Sequence, residues 1–276
     1  MDVDRQQLET DFVLEAHGLN KTYTQGSLWR KRKSHSVLND VHISLKRGTT
    51  FGLVGRSGAG KTTLAMCLVG LERPDSGQIV VDGCSIRYGD NRFRGAQRRV
   101  QLIFQDSLRA MSPRMTVRDI VEEPILISGQ LSRIDRVKAS EAIMDKVGIP
   151  RLWHSRRPHE LSGGQRQLVS IARSLTLHPK VLILDELFVG LDLSVRGQLA
   201  NLLIDLQIQE QLSYICITHD FALITHLATD VGVLEHGRLI GYPTEGDSDG
   251  APRRFGTRTI ASIRKRWKAA NAGANV

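Results

Sequence analysis

Gly55-Arg56-Ser57-Gly58-Ala59-Gly60-Lys61-Thr62 follows the apolar run Phe51-Gly52-Leu53-Val54 and precedes Thr63-Leu64-Ala65-Met66-Cys67-Leu68. A glycine, four free positions and Gly-Lys-Thr, set between a short apolar strand and an opening helix, form a pattern with a physical mechanism. Polyphosphate carries dense negative charge. Glycines let several backbone N–H groups close around it without Cβ clashes, and the first turn of a helix adds unpaired donors and a positive dipole end. Lys61 is then placed to reach the β- and γ-phosphates, and Thr62 to offer its hydroxyl to Mg²⁺. The stretch predicts a phosphate-binding loop in an α/β core.

Working outward, a second signal lies at Val181-Leu182-Ile183-Leu184-Asp185-Glu186, a buried strand running straight into two carboxylates. Acids at the C-terminal end of a parallel strand stand where doubly wound sheets bind ligands. Asp185 is suited to hold Mg²⁺, and Glu186 to orient or deprotonate an attacking water. Before it, Leu161-Ser162-Gly163-Gly164-Gln165 opens a helix whose apolar face reads Leu168, Ile171, Ala172 and Leu175. A serine and two glycines at a helix start repeat the logic of the first loop. Tyr214-Ile215-Cys216-Ile217 is another strand and ends in Thr218-His219-Asp220. His219 has two readings, a structural histidine or a group on the ligand edge of the sheet.

The remaining segments fit around this core. Phe12 to Ala16 and Val37 to Leu45 read as strands, joined by a polar connection, Gln25 to Ser36, that carries Arg30-Lys31-Arg32-Lys33. These four cations read as a solvated loop or as a surface for acidic headgroups or a partner. Tyr23, just before them, reads as rim packing or as a platform for a purine. Strands are expected at Gln78 to Gly83 and Val100 to Phe104, with Gln105 ending the latter. From residue 106 to 158 the texture turns helical, with Ser132 as a cap and Gly148 as a stop, which predicts an α-helical insertion. Ser194 to Gln209 reads as a helix with one buried face, and Val231 to Ile240 as a closing hairpin.

Composition fits a globular α/β protein, at 41% hydrophobic and 24% charged residues. The net charge is +9, but seven of the cations, Arg253 to Lys268, follow Gly250 with no acid among them. Removing them leaves about +2, so the basicity belongs to a tail from residue 247 to 276, within which 260–268 reads as a short basic helix. Three cysteines without a C-x-x-C pair point to a reduced interior. The N-terminus lacks the basic start and apolar core of a secretory signal, and no run reaches the roughly 18 apolar residues of a membrane helix. Nucleic-acid binding is not expected, because only Trp267 interrupts the basic charges.

Together these residues resemble the nucleotide-binding subunits of ATP-binding cassette (ABC) transporters, over about residues 11 to 246. The resemblance implies a P-loop NTPase core with a parallel sheet, an N-terminal antiparallel β subdomain and the inserted helical subdomain at 106–158. It implies ATP and Mg²⁺ as cofactors. Tyr23 resembles the adenine-stacking aromatic. Gly55, Arg56, Ser57, Gly58, Ala59, Gly60, Lys61, Thr62 and Thr63 resemble the Walker A loop. Gln105 resembles the glutamine that touches metal and lytic water, Asp185 and Glu186 the Walker B acids, Asp192 the aspartate of the following loop, and His219 the switch histidine. Ser162, Gly163, Gly164 and Gln165 match the signature that caps ATP held by a second cassette.

Within the family, the long basic connection and Phe104-Gln105-Asp106-Ser107 look most like importers of peptides and nickel. That implies permease subunits in the membrane, a solute-binding protein acting through them, a second ATPase subunit and a place on the cytoplasmic face of the membrane. Two departures stand out. Leu187-Phe188-Val189-Gly190-Leu191-Asp192 replaces the usual Pro-x-Ser-Ala-Leu-Asp, which points to a sister chain, not a second copy, as the partner ATPase. The basic tail replaces a cysteine-rich extension. A soluble cassette ATPase serving a cytosolic complex, such as phosphonate-breakdown machinery, is the alternative.

Overall fold

Two sheets divide the strands by the hydrophobic pattern they carry. The structure, a computed structural model, describes residues 11–25, 33–86, 98–129 and 131–240. In chain order the elements are β1 (Phe12–Gln25), β2 (Lys33–Lys46), β3 (Thr50–Gly55), α1 (Lys61–Leu68), β4 (Ser76–Val81), β5 (Cys84–Ser85), β6 (Val100–Ile103), α2 (Val117–Ser128), α3 (Arg133–Val147), α4 (Gly163–Leu175), β7 (Val181–Asp185), α5 (Leu193–Glu210), β8 (Ser213–Ile217), α6 (Phe221–Leu227), β9 (Asp230–Glu235) and β10 (Arg238–Ile240). Single turns of 3-10 helix lie at Arg151–Trp153 and Pro158–Glu160.

Strands β3, β7 and β8 are buried at every position, as a parallel sheet covered on both faces requires. They belong to a six-stranded sheet of order β10-β9-β3-β8-β7-β6, parallel except for β10. Side chains alternate across it with period two. Val181, Ile183, Ile215 and Ile217 face one core, shared with α1 and the second sheet. Leu182, Leu184, Tyr214 and Cys216 face another, shared with α2 to α5. Each such aliphatic side chain contributes about 2 kcal/mol by leaving water. The second sheet is antiparallel, of order β2-β1-β4-β5.

Several expected boundaries move. The first strand does not stop at Ala16 but runs to Gln25, so Tyr23 lies inside it. Its later half, Asn20-Lys21-Thr22-Tyr23, is polar, and long-range pairing with β2 holds it extended where periodicity gives no signal. Lys33 opens β2, whereas Arg30, Lys31 and Arg32, the tail and its expected helix lie outside the described residues. The strand expected at Gln78 to Gly83 is Ser76–Val81, and Asp82-Gly83 turns it into β5. Strand β6 ends at Ile103, so Gln105 lies two residues past it.

Between β6 and α4 the described chain is helical. Ser132 caps α3 by accepting from the Asp135 amide, and Gly148 ends it in a left-handed conformation. Thr116 and Asp119 form a reciprocal capping box at the start of α2, with Asp119 held below the ordinary carboxylate range by the Thr116 side-chain and backbone hydrogen bonds. Replacing Thr116 with Ala is expected to cost about 1 kcal/mol in a urea titration and to leave nucleotide affinity unchanged.

Candidate nucleotide site

The parallel order decides what meets at the sheet's edge. Leu53 pairs with Ile217, and Ile217 with Asp185, so β8 and β7 end level with one another and β3 runs two residues past them to Gly55. The phosphate loop, Thr218-His219 and Asp185-Glu186 therefore share one rim. Here the amide of Glu186 donates to the Ile217 carbonyl at 2.9 Å, and Glu186 takes a φ of 50°, which turns its side chain out of the strand's alternation.

The loop folds on itself before α1 begins. Ala59 N–H donates to the Arg56 carbonyl at 3.1 Å, and Gly60, at φ 102°, caps α1 without any side-chain hydrogen bond. No acid lies in the first turn of α1, so its leading N–H groups keep the polarity that suits an anion. Lys61 is buried, and its Nζ donates to the carbonyls of Gly55 at 2.8 Å and Arg56 at 3.0 Å. Burial lowers its proton affinity below that of an ordinary lysine, against the opposing pull of Glu186 and Asp185.

Thr62 Oγ1 donates to Asp185 Oδ2 at 3.0 Å and joins α1 to the end of β7. Burial raises the proton affinity of Asp185 above the usual carboxylate value, and the charge of Glu186 adds to this, while the Thr62 hydrogen bond and Lys61 oppose it. His219 Nδ1 stands 3.7 Å from Glu186 Oε1. A cavity of about 530 Å³ opens at Thr62 and Asp185, lined also by Gln105, Asp106, Arg109 and Ser170 among others. Gln105 is thus brought to the same place as Thr62 and Asp185.

Other expected site residues lie elsewhere in the chain's geometry. Tyr23 is exposed on β1 with Lys21 Nζ 5.2 Å above its ring, and pairs with His35 of β2. His35 lies two residues before Val37, whose carbonyl backs Gly60. Ser162 and Gln165 bond each other in a capping box at the start of α4: the Ser162 amide donates to Gln165 Oε1 at 2.9 Å and the Gln165 amide to Ser162 Oγ at 3.3 Å. Gly164 packs on Val195 of α5, where a Cβ would come within 2.7 Å of Cγ1. Asp192 Oδ1 caps α5 by accepting from the Val195 amide at 2.9 Å, so its carboxylate is engaged within its own helix.

Two arginines not singled out from the sequence brace these parts. Arg196 donates to the Leu191 carbonyl at 2.9 Å and reaches Asp220, next to His219, at 3.4 Å. Arg173 donates to the Ala110 carbonyl at 3.1 Å and to Glu123 of α2 at 2.7 Å. Each is a cation on a half-buried helix face, a signal that packing arguments read as solvated.

The ABC transporter family profile matches residues 38–189, more than half of the chain. The chain belongs to the ABC transporter family. It is an ATPase of that family. It is similar to the dipeptide transport ATP-binding protein DppF of Haemophilus influenzae, at 36% identity over 92% of this chain and 78% of that protein. It is similar also to the nickel import ATP-binding protein NikE of Shigella flexneri, at 39% identity over 85% of this chain and 88% of that one. Among solved structures, cbiO1 from Clostridium perfringens, part of the ABC transporter complex cbiONQ, superposes with a TM-score of 0.75 at 24% identity, covering 97% of this chain and 96% of that chain. A dimeric ATP-binding cassette in a post-hydrolysis state with ADP and Pi gives 0.73 at 24%, over 82% and 96%. Both share the fold.

The raised proton affinity of Asp185 fixes a sign. The folded chain holds this proton more tightly than the unfolded one, so the group favours the fold at acid pH and opposes it once pH rises through the raised value. Asp185→Asn is therefore expected to stabilise the nucleotide-free protein at pH 7 by about 1 kcal/mol. In thermal melts the gain should shrink as pH falls into the ordinary carboxylate range; a gain that grew there would contradict the assignment.

Proposed function

We propose that this chain is the ATP-hydrolysing subunit that energises import of a small solute, of the peptide or nickel class, through separate permease subunits. The observation that carries the catalytic part is the convergence of Lys61, Thr62, Asp185, Glu186 and His219 on one rim of the parallel sheet. The names of the relatives, dipeptide transport and nickel import, support the importer over a soluble cassette serving a cytosolic complex.

In this reading residues 55–63 cradle the phosphates and Lys61 neutralises them. The donors beside them are a hydroxyl and a carboxylate, hard oxygen ligands of the kind Mg²⁺ takes. Among the described residues no three His, Cys, Asp or Glu side chains cluster to hold a metal. That suits an ion that arrives with the nucleotide, held by Thr62, Asp185 and Gln105. Bound there, Mg²⁺ supplies positive charge to the phosphate oxygens. Glu186 takes the proton of the attacking water, and His219 positions it. Tyr23 stacks on the adenine.

The cassette is incomplete by itself, because Ser162 to Gln165 bond one another and pack on α5, not on the chain's own phosphate loop. A second cassette completes the site, with Ser162, Gly163, Gly164 and Gln165 facing its ATP and Asp192 at the seam. Val189 and Leu193 are exposed apolar side chains around that aspartate. We assign the partner as a sister chain. A groove of about 370 Å³, lined among others by Leu71, Leu102, Phe104, Pro124 and Ile127, receives a permease helix. Among the described residues no helix is long and apolar enough to cross a membrane. In this reading the permease subunits hold the chain at the cytoplasmic face of the membrane.

Glu186→Gln is expected to bind ATP as the parent does, to dimerise with it and to lose at least about 100-fold in turnover. Lys61→Ala is expected to weaken ATP binding itself. Hydrolysis by the Glu186→Gln protein at the parent's rate would remove Glu186 from its role. Co-purification of the native chain from membranes tests the importer, with permease subunits and a second cassette the expected company.

A further inference from the structure

The β9–β10 hairpin turns through His236-Gly237, with φ of 48° and 75°, the mirror-image two-residue turn that matches strand twist. It is not a free turn. The Gly237 carbonyl accepts from the Asn39 amide at 2.8 Å, and a Cβ on Gly237 would stand 2.7 Å from the Val37 carbonyl oxygen. A Cβ on Gly60 of the phosphate loop would stand 2.8 Å from that same oxygen. One peptide carbonyl is thus pressed between the phosphate loop and the hairpin tip. At the loop's other end Gly55 lies against the hairpin again, since a Cβ there would come within 2.5 Å of the Leu234 carbonyl oxygen.

We propose that this hairpin is a positioning element for the phosphate loop, and that Gly237 sets nucleotide affinity through the Val37 carbonyl. The inference rests on the reading of residues 55–63 as the phosphate site. Gly60 closes that loop and caps α1, so a shift of the Val37 carbonyl toward it re-aims the N–H groups that lead the helix. A misplacement on the order of 1 Å in a positioned donor set is enough to cost orders of magnitude in its effect. The tightest of these contacts run between glycine and backbone carbonyl. For that reason a side-chain reading of residues 234–240 finds only a closing hairpin.

The molecule supplies its own control. Asp82-Gly83, between β4 and β5, makes the same kind of turn with φ of 51° and 73°, but nothing lies within 4 Å of a Cβ on Gly83. Gly83→Ala and Gly237→Ala therefore carry the same left-handed backbone strain, and only the second pushes on the phosphate loop. With the full chain and a fluorescent ATP analogue, Gly237→Ala is expected to raise Kd about tenfold while Gly83→Ala changes it less than about twofold, with Gly237→Ala losing the more Tm because its Cβ also meets the Val37 carbonyl. Equal Kd values for the two variants and the parent would overturn the proposal. Failure of the parent to bind the analogue would instead overturn the phosphate site. Should Gly237→Ala not fold, hydrogen exchange on the parent decides. ATP is expected to slow exchange at the Asn39 amide and across 234–240, and slowing confined to 55–64 would overturn the proposal.

Discussion

The hydrogen bond from Thr62 to Asp185, at 3.0 Å, is the contact on which the rest of the site depends. It joins the first turn of α1 to the end of β7, although β8 separates β7 from the strand that feeds α1. For that contact to form, three parallel strands must pair in one register, with β3 running two residues past the level ends of β7 and β8, and both of their faces must be covered. The two cores on either side of the sheet meet that requirement, with Val181 and Ile183 in one and Leu182 and Leu184 in the other. Sheet order, strand length and burial are thus read out in a single oxygen-to-oxygen distance.

The same closeness has an electrostatic cost. Burial disfavours the charged forms of both Lys61 and Asp185, and the carboxylate of Glu186 adds to the strain on Asp185. The opposite charges of Lys61 and the two carboxylates offset part of this, as does the Thr62 hydroxyl. A site arranged in this way is suited to a polyanion arriving with a divalent cation, which supplies the counter-charge that each buried group lacks. Stability is spent locally where binding recovers it.

Much of this was legible in the sequence, for physical reasons. Continuous apolar runs ending in Gly, Asp-Glu or Thr-His-Asp announced parallel strands and marked which of their ends carries chemistry, because a doubly covered strand must be apolar throughout. The cap at Ser132 and the helix start at Ser162 were readable because a side chain of the right type stands at each. Less legible was the polar half of β1, held extended by pairing with β2 and not by its own pattern. The strand after the phosphate helix, Ser76–Val81, gave no sign of which sheet it joins. The brace at Val37 could not be read at all, since a carbonyl is common to every residue. The cap that Asp192 places on α5 was not read from the sequence, where the residue entered only through the family resemblance.

The central claim is that Thr62 and Asp185 form the place where nucleotide and the proposed magnesium ion meet. Calorimetric titration of ATP into the full chain, with Mg²⁺ and then with a chelator, tests it most directly. The account predicts that Mg²⁺ tightens binding by at least about tenfold in the parent, or about 1.4 kcal/mol, and that Asp185→Asn abolishes the difference. Equal affinities with and without the ion in the parent, or an undiminished difference in the Asp185→Asn protein, would contradict it.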